Sequence, residues 1–148
     1  MPMNRSKYPK DWDDFSHRIR FDRAKQQCEC TGECGLHDGR DLFFPEAKRC
    51  EERNGFPAKW AQGTVVLTVA HLCHETMCVN EQHVKGLCNR CHLRYDVDLH
   101  MLHALESKGQ GDSLEARAAR ARQAEQSRKI RESCGPCELR PMRVERKT

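Results

Sequence analysis

Cysteine is the residue type that best equips this chain for chemistry. Ten of its 148 residues are cysteine, and Cys88 and Cys91 form a Cys-x-x-Cys pair. Upstream lie Cys30 and Cys34, the second of which is followed by glycine. A Cys-Gly step frees backbone N–H groups to bond a thiolate sulfur, and two such pairs supply the four tetrahedral ligands of a structural zinc ion. The spacing therefore predicts that these four cysteines bind zinc.

The choice of zinc ligands stays open, because three residues rather than two separate Cys30 from Cys34. Several other side chains could replace them or build a second site: Cys28, His37, Cys50, Cys73 and Cys78. Near the C-terminus, Cys134 and Cys137 are compatible with a further metal-binding pair, a redox pair or no role. A thioredoxin-like redox pair needs a βαβ context. No strand is predicted around it, so we favour a minor metal-binding or structural role.

A second set of residues could support hydrolysis with a cation. His92 directly follows Cys91, and Asp96 lies four residues later, so both side chains lie on one face of a helix. Such a His/Asp pair can bind a divalent cation. His71 ends a predicted strand and could activate water as a general base, while the cation polarises a scissile phosphate. This combination predicts metal-assisted phosphodiester hydrolysis.

The elements that must position these residues are predicted from periodicity and turn signals. Apolar residues at i, i+3 and i+7 predict a helix over 11–27. A β-branched run predicts a strand over 64–70, which delivers His71 at its end. A strand end or turn followed by a helix is expected over 86–107. A further helix over 114–131 has few apolar residues, so we expect it to pack loosely or to extend from the body.

The composition supports a small protein held together by metal. Apolar residues make up 37% of the chain and charged residues 32%, more polar than an ordinary globular domain. No run of 18 apolar residues is present, which excludes a membrane span, and the first ten residues lack the apolar segment of a secretory signal. We therefore expect a cytosolic protein, in which clustered thiols bind metal rather than form disulfides.

Positive charge is concentrated at the two ends of the chain. Residues 1–27 carry a net charge of +3, residues 28–111 carry −3 and residues 112–148 carry +4. Basic ends around a metal-binding centre suit a DNA partner, although a solvated terminal helix gives the same charge pattern. The side chains that we expect to contact nucleic acid are basic ones near the proposed site and in the C-terminal helix: Lys85, Arg90, Arg94, Arg117 and Arg120.

Two segments resemble the zinc-containing HNH endonucleases of phages, prophages and bacteria. They read LTVAHLCH over 67–74 and NEQHVKGLCNRCHLRYD over 80–96. Upstream, IRFDRA over 19–24, CECTGECG over 28–35 and RNG over 53–55 are also similar to that family. The resemblance covers about residues 12–107. It implies a ββα-metal (His-Me finger) fold, cleavage of DNA with a divalent cation, and a location in the cytosol of a bacterial host.

The resemblance also implies roles for individual residues. His71 matches the general base, and His83 takes the catalytic-motif position, usually Asn, that braces the loop holding the base. His92 matches a ligand of the catalytic cation, which would be Mg²⁺, Mn²⁺, Ni²⁺ or Zn²⁺, and Asp96 falls where a further helical ligand can lie. The family often has an acidic ligand before the base, where this chain has Ala70. The cation would then depend on the remaining ligands, water and phosphate, or recruit His74.

We therefore expect a small α+β protein with a ββα-metal core stabilised by zinc and flanked by helices. The expected division is an N-terminal arm and helix over 1–27, a nuclease core over 28–107 and a basic helical extension over 108–148. It would act on DNA as a monomer or dimer, away from membranes. The alternative is the same zinc fold used as a nucleic-acid-binding adaptor without efficient catalysis, and a weaker one is a thiol redox protein.

Overall fold

The protein has a small α+β fold, seen here in a computed structural model that describes residues 5–37 and 49–139. Within these ranges a two-stranded antiparallel sheet is surrounded by four α-helices and shorter helical turns. The strands are β1 (Leu67–His71) and β2 (Val84–Cys88), and the α-helices are α1 (Trp12–His17), α2 (Asn89–Tyr95), α3 (Val97–Ser107) and α4 (Leu114–Cys134). Short 3₁₀ turns occupy Arg5–Lys7 and Glu81–His83, and a π-helix occupies Arg18–Arg23. The α+β class expected from the sequence is thus observed.

The two strands form a hairpin that leads directly into α2. Leu67 lies opposite Cys88, and His71 opposite Val84. The predicted strand is present and ends on His71, as its β-branched composition indicates. At Gly86 the hairpin approaches the N-terminal helical segment closely, because a Cβ atom there would lie 3.3 Å from the Cβ of Ala24. The hairpin thereby places its last residues, and those of α2, beside the N-terminal third of the chain.

The N-terminal helix packs on the hairpin through its apolar face. Trp12, Phe15 and Ile19 are buried in one cluster with Val69 and Val84, as their spacing predicts. The helix is shorter than the expected 11–27, because it continues as a π-helix only to Arg23. The next turn is broken where two non-glycine residues, Lys25 and Gln26, adopt positive φ angles, which lie outside the right-handed helical region.

The strand end expected at the start of 86–107 is present as the end of β2, and the helix expected after it is divided into α2 and α3. Asp96 adopts φ −89° and ψ 15°, and its departure from helical angles separates α2 from α3. The first of these helices carries Cys91 and His92, so both candidate chemistries come from one short element that directly follows β2.

The C-terminal helix α4 is packed, and the expectation of a loose or extended helix is wrong. Its N-terminus is capped by Ser113, whose hydroxyl accepts a hydrogen bond from the backbone N–H of Ala116 at 3.2 Å. Ala116 and Ala119 are buried against Leu102 of α3. Alanines lack bulk but allow two helices to approach closely, which the sequence pattern of large apolar residues did not indicate.

Polar contacts add to this packing along α4. Arg122 makes a bidentate contact with the carboxylate of Asp98 on α3. Further along, the Ser127 hydroxyl donates to the carbonyl of Cys73 at 2.9 Å. Among the helices of the described ranges, we find none with the length and apolar character needed to cross a bilayer.

Candidate metal centres and histidine cluster

Within residues 5–37 and 49–139, three groups of cysteine and histidine could each hold a metal ion such as zinc. In each group, the donor atoms all lie within 4.8 Å of one another. The Cys28 group consists of Cys28, Cys50, Cys88 and Cys91. The Cys30 group consists of Cys30, Cys34, His37 and Cys91. The Cys73 group consists of Cys73, Cys78, His83 and Cys137. Cysteine and histidine quartets are the usual ligand sets of structural zinc.

The structure divides the four predicted zinc ligands between two groups. Cys88 lies with Cys28 and Cys50, whereas Cys30 and Cys34 lie with a histidine. Two hydrogen bonds tie the segments that carry these cysteines together. The Cys88 backbone N–H donates to the Cys28 sulfur at 3.3 Å, and the Cys50 N–H donates to the Cys30 carbonyl at 2.8 Å. These contacts bring three distant chain segments to the start of α2.

The thiols of the Cys28 and Cys30 groups differ in their pKa values because they contact one another. Contacts with the thiols of Cys91 and Cys28, respectively, lower the pKa of Cys30 and of Cys50 to about 6. Contacts with its four neighbouring thiols, followed by burial, raise the pKa of Cys91 well above its usual range. Without a cation, only some of these thiols can ionise, because adjacent thiolates repel one another. A bound dication removes this conflict and allows each thiol to become a ligand.

The Cys73 group joins the loop between the strands to the C-terminal end of α4. His83 is fully buried, and its Nε2–H donates to the Gly135 carbonyl at 2.9 Å. A carbonyl can only accept, so this bond places the proton on Nε2 and leaves the Nδ1 lone pair free. Nδ1 lies 3.4 Å from the Cys78 sulfur and 3.6 Å from the Cys137 sulfur. The histidine is therefore oriented as a metal ligand.

This geometry gives His83 a further possible role beside the one that the resemblance implies. It lies within the Cys73 group, so it is also a candidate metal ligand. Cys137, expected to have only a minor role, completes the same group from 54 residues away in sequence. Cys134 is outside all three groups. Of the two cysteines in the Cys-Gly-Pro-Cys segment, Cys137 therefore belongs to a candidate metal group and Cys134 does not.

Substitution of Cys137 should release one metal ion per chain, whereas substitution of Cys134 should release none. We expect Cys137→Ser to bind one zinc fewer per chain than the unmodified protein, because its group loses one of four ligands. Cys134→Ser is the matched control in the same turn. Zinc counted by native mass spectrometry distinguishes them, and equal zinc contents in the two variants would contradict the assignment.

A separate cluster contains histidines and one carboxylate at the end of α2. His92 Nε2 lies 3.1 Å from Asp96 Oδ2, and His74 Nδ1 lies 3.6 Å from Asp96 Oδ1. The i, i+4 pairing predicted on this helix is therefore present. All three residues act electrostatically on the pKa of His71 at the end of β1. The sequence also anticipated that His74 could join this set.

A hydrogen bond fixes the tautomer of His74. Its Nε2–H donates to the Gln126 side-chain oxygen at 3.0 Å, so the Nδ1 lone pair faces the carboxylate of Asp96 at 3.6 Å. The Thr68 hydroxyl oxygen lies 2.5 Å from His92 Nδ1 and 3.5 Å from the Leu87 carbonyl. Because a hydroxyl can donate or accept, this contact is compatible with either tautomer of His92. The acceptor-to-acceptor contact between His74 and Asp96 is relieved by a metal cation.

His71 is buried and held neutral at physiological pH. Burial, together with the neighbouring His92, lowers its pKa to about 4, although the Cys78 carbonyl opposes this shift. Its Nε2–H donates to that carbonyl at 3.2 Å, so the Nδ1 lone pair is free to accept a proton. The ring stacks on Trp12 with the centroids 5.1 Å apart. These contacts orient an imidazole that can act as a base.

Two residues close in sequence to this cluster are also notable, one for its burial and one for its backbone conformation. Ala70, which takes the place of the acidic ligand that the resemblance leads one to expect, is fully buried in the core beside Leu67. His74 adopts a positive φ of 56°, a conformation that is uncommon for residues other than glycine. Such conformations persist where the surroundings enforce them, and they cluster at functional sites.

The five basic side chains predicted to contact nucleic acid differ in whether neighbouring groups of the protein already engage them. Lys85 pairs with Glu33, and the Arg120 guanidinium donates to the Gly111 carbonyl and pairs with a carboxylate. The Arg90 guanidinium lies 5.4 Å above the exposed ring of Trp60. The remaining two of the five, Arg94 and Arg117, are exposed. Those three, unlike the paired ones, present charge that a phosphate could reach.

Comparisons of the chain with protein-family models, with curated proteins and with solved structures find no match. The fold and the site define a small α+β protein with three Cys/His groups that could hold metal ions. Beside them lies a histidine–aspartate cluster.

Proposed function

We propose that this protein is an HNH-type endonuclease that hydrolyses DNA phosphodiester bonds with a divalent cation and His71 as the general base. One observation carries the proposal: a buried histidine ends β1, oriented by its hydrogen bond to the Cys78 carbonyl, and a His/Asp pair lies on the helix that follows β2. The order strand, strand, helix agrees with a ββα-metal core. Structural zinc in the Cys/His groups would hold this core together.

The residues that would hold the catalytic cation are His92 and Asp96, with His74 as a third ligand. Imidazole nitrogen and carboxylate oxygen suit Mn²⁺, Ni²⁺ or Zn²⁺, and the carboxylate with water suits Mg²⁺. One ring nitrogen of each histidine lies close to a carboxylate oxygen of Asp96, at 3.1 Å for His92 and 3.6 Å for His74, so these donors can converge on one ion. When bound, the cation would polarise the scissile phosphate and stabilise the leaving oxygen. The hydrogen bond from His74 Nε2–H to Gln126 keeps the Nδ1 lone pair of His74 directed at it.

His71 would take the proton from the attacking water. Its Nδ1 lone pair is available because Nε2 is committed to the Cys78 carbonyl. The same hydrogen bond strengthens as the ring becomes charged, so it supports the imidazolium that forms. Burial disfavours that charge and allows the proton to be released again after the reaction. Stacking on Trp12 limits rotation of the ring.

The second candidate function is a DNA-binding adaptor that uses the same fold. Ala70 favours it, because a buried alanine contributes no cation ligand at a position where the family often has a carboxylate. DNA is the proposed partner in both cases, through the exposed basic side chains. In the endonuclease interpretation, the protein would act in the cytosol of a bacterial host, as the resemblance to phage and prophage enzymes implies.

A plasmid-nicking assay separates the two functions. We expect supercoiled plasmid to become nicked circles with Mg²⁺, Mn²⁺ or Ni²⁺ and to remain intact with chelator. A monomer with one site would cut one strand in each encounter. Retarded plasmid that stays supercoiled with every cation would instead identify an adaptor.

Substitution of His92 or Asp96 should reduce cleavage because each residue would bind the catalytic cation. We expect His92→Ala to lose cleavage and Asp96→Ala to need a higher cation concentration for half-maximal cleavage. The loss of cleavage in His92→Ala should exceed the roughly 10–100-fold effect of removing a residue that only supports a metal ligand, because His92 is itself a ligand in this proposal. His103→Ala, an exposed histidine on α3, is the matched control. Full activity of Asp96→Ala at limiting cation would show that the pairing has no ligand role.

A further inference from the structure

Cys91 lies between the Cys28 group and the Cys30 group and belongs to both. Its sulfur lies 3.9 Å from the Cys50 sulfur of the Cys28 group. It also lies 3.6 Å from the His37 Nε2 atom of the Cys30 group. The side chain is 1% exposed and is the one residue that the two groups share. The shared sulfur raises the question of how many metal ions the two groups hold.

The number of donors in the two groups answers this question. Apart from Cys91, each group contributes three donors, and together the groups contain seven different side chains. Structural zinc takes four ligands in a tetrahedron. Two zinc ions thus need eight coordination positions, which seven side chains fill when one thiolate bridges both ions.

Burial of most of the ligands disfavours a water molecule as the missing ligand. Cys28 and Cys30 are fully buried and Cys34 is 4% exposed, while Cys50 and His37 are half-buried. A site open to water is typical of catalytic zinc, whereas closed sites with four protein ligands are structural. A thiolate keeps several lone pairs, so the buried Cys91 sulfur can complete both tetrahedra.

Both groups are also prepared to hold thiolates. In the Cys28 group, the Cys88 backbone N–H donates to the Cys28 sulfur at 3.3 Å. In the Cys30 group, the Leu36 N–H donates to the Cys34 sulfur at 3.4 Å. Hydrogen bonds of this kind stabilise the negative sulfur. A single zinc ion in one group would leave the other group's buried thiols without a countercharge.

We propose that Cys91 is a bridging ligand in a two-zinc cluster formed by the Cys28 and Cys30 groups. Cys28, Cys50 and Cys88 are the terminal ligands of one ion. The terminal ligands of the other are Cys30, Cys34 and His37. None of these ligands belongs to the histidine cluster, so the two-zinc proposal does not rest on the proposed nuclease activity.

Cadmium NMR on the full chain tests the bridge directly. With ¹¹³Cd replacing zinc, we expect two resonances that split each other by scalar coupling through the shared sulfur. Metal in the Cys73 group should give a third, uncoupled resonance, which serves as the internal control. Two uncoupled resonances, or a single resonance, from the Cys28 and Cys30 groups would overturn the proposal.

Zinc counts provide a second test that does not need cadmium. Cys34→Ser and His37→Ala should each lose one zinc per chain in native mass spectrometry, because each removes a terminal ligand of one ion. Cys134→Ser, outside every group, should lose none. If the Cys34 and His37 variants keep all their zinc, the Cys30 group holds no ion of its own and the two-zinc cluster is refuted.

Discussion

Cys88→Ser should abolish cooperative folding of this protein. The largest buried cluster of the described residues contains five cysteines, together with Val65, Leu67, Ala70 and Leu87. These thiols occupy the place of a conventional apolar core. Structural zinc contributes roughly 10–16 kcal/mol in small zinc-dependent domains, comparable with or above the roughly 5–15 kcal/mol stability of a whole domain. Loss of a ligand at the junction of β2 and α2 therefore removes most of what holds the chain together.

Circular dichroism and metal analysis check this prediction. The unmodified protein should give one cooperative thermal transition that is lost when a strong chelator removes zinc and returns when zinc is restored. Cys88→Ser should lack that transition in the presence of zinc, whereas Cys134→Ser should melt like the unmodified protein. A zinc-free chain that keeps reduced thiols and still melts cooperatively would contradict the claim that metal stabilises the fold.

The sequence predicted the elements whose signals are local. The apolar face of α1 and the β-branched run of β1 were recognised because each repeats within a few residues. The pairing of His92 with Asp96 was predicted for the same reason, since helix geometry alone brings positions i and i+4 together. Nothing beyond one turn of helix was needed for this prediction.

The partition of the cysteines was not predictable from spacing. Cys91 follows Cys88 on one turn and shares Cys28 and Cys50 with it, but Cys91 also reaches the Cys30 group, because Cys28, Cys50 and the Cys30 group arrive from separate loops. Cys137 joins the Cys73 group only because α4 packs along α3 and returns the chain to the hairpin. That packing depends on buried alanines, which carry little signal in a hydrophobic pattern.

His71→Gln should reduce cleavage by about 10²–10⁴-fold, the typical cost of losing a general base. Glutamine retains a side-chain N–H that can donate to the Cys78 carbonyl, but its amide cannot take a proton from water at neutral pH. His71→Ala should show the same loss of cleavage with some loss of stability, because it leaves a cavity beside Trp12 and an unpaired buried carbonyl. Plasmid cleavage rates at saturating cation measure the effect.

DNA binding separates a chemical role of His71 from a structural one. The imidazole acts on water rather than on the phosphate, so His71→Gln should bind duplex DNA with an affinity close to that of the unmodified protein and keep its zinc. His103→Ala provides the control for removal of an exposed histidine. Undiminished cleavage by a glutamine variant free of contaminating nuclease would exclude His71 as the base. Lost cleavage together with lost zinc would instead show that the residue supports the nearby Cys73 group, since its hydrogen bond to Cys78 is the contact that joins them.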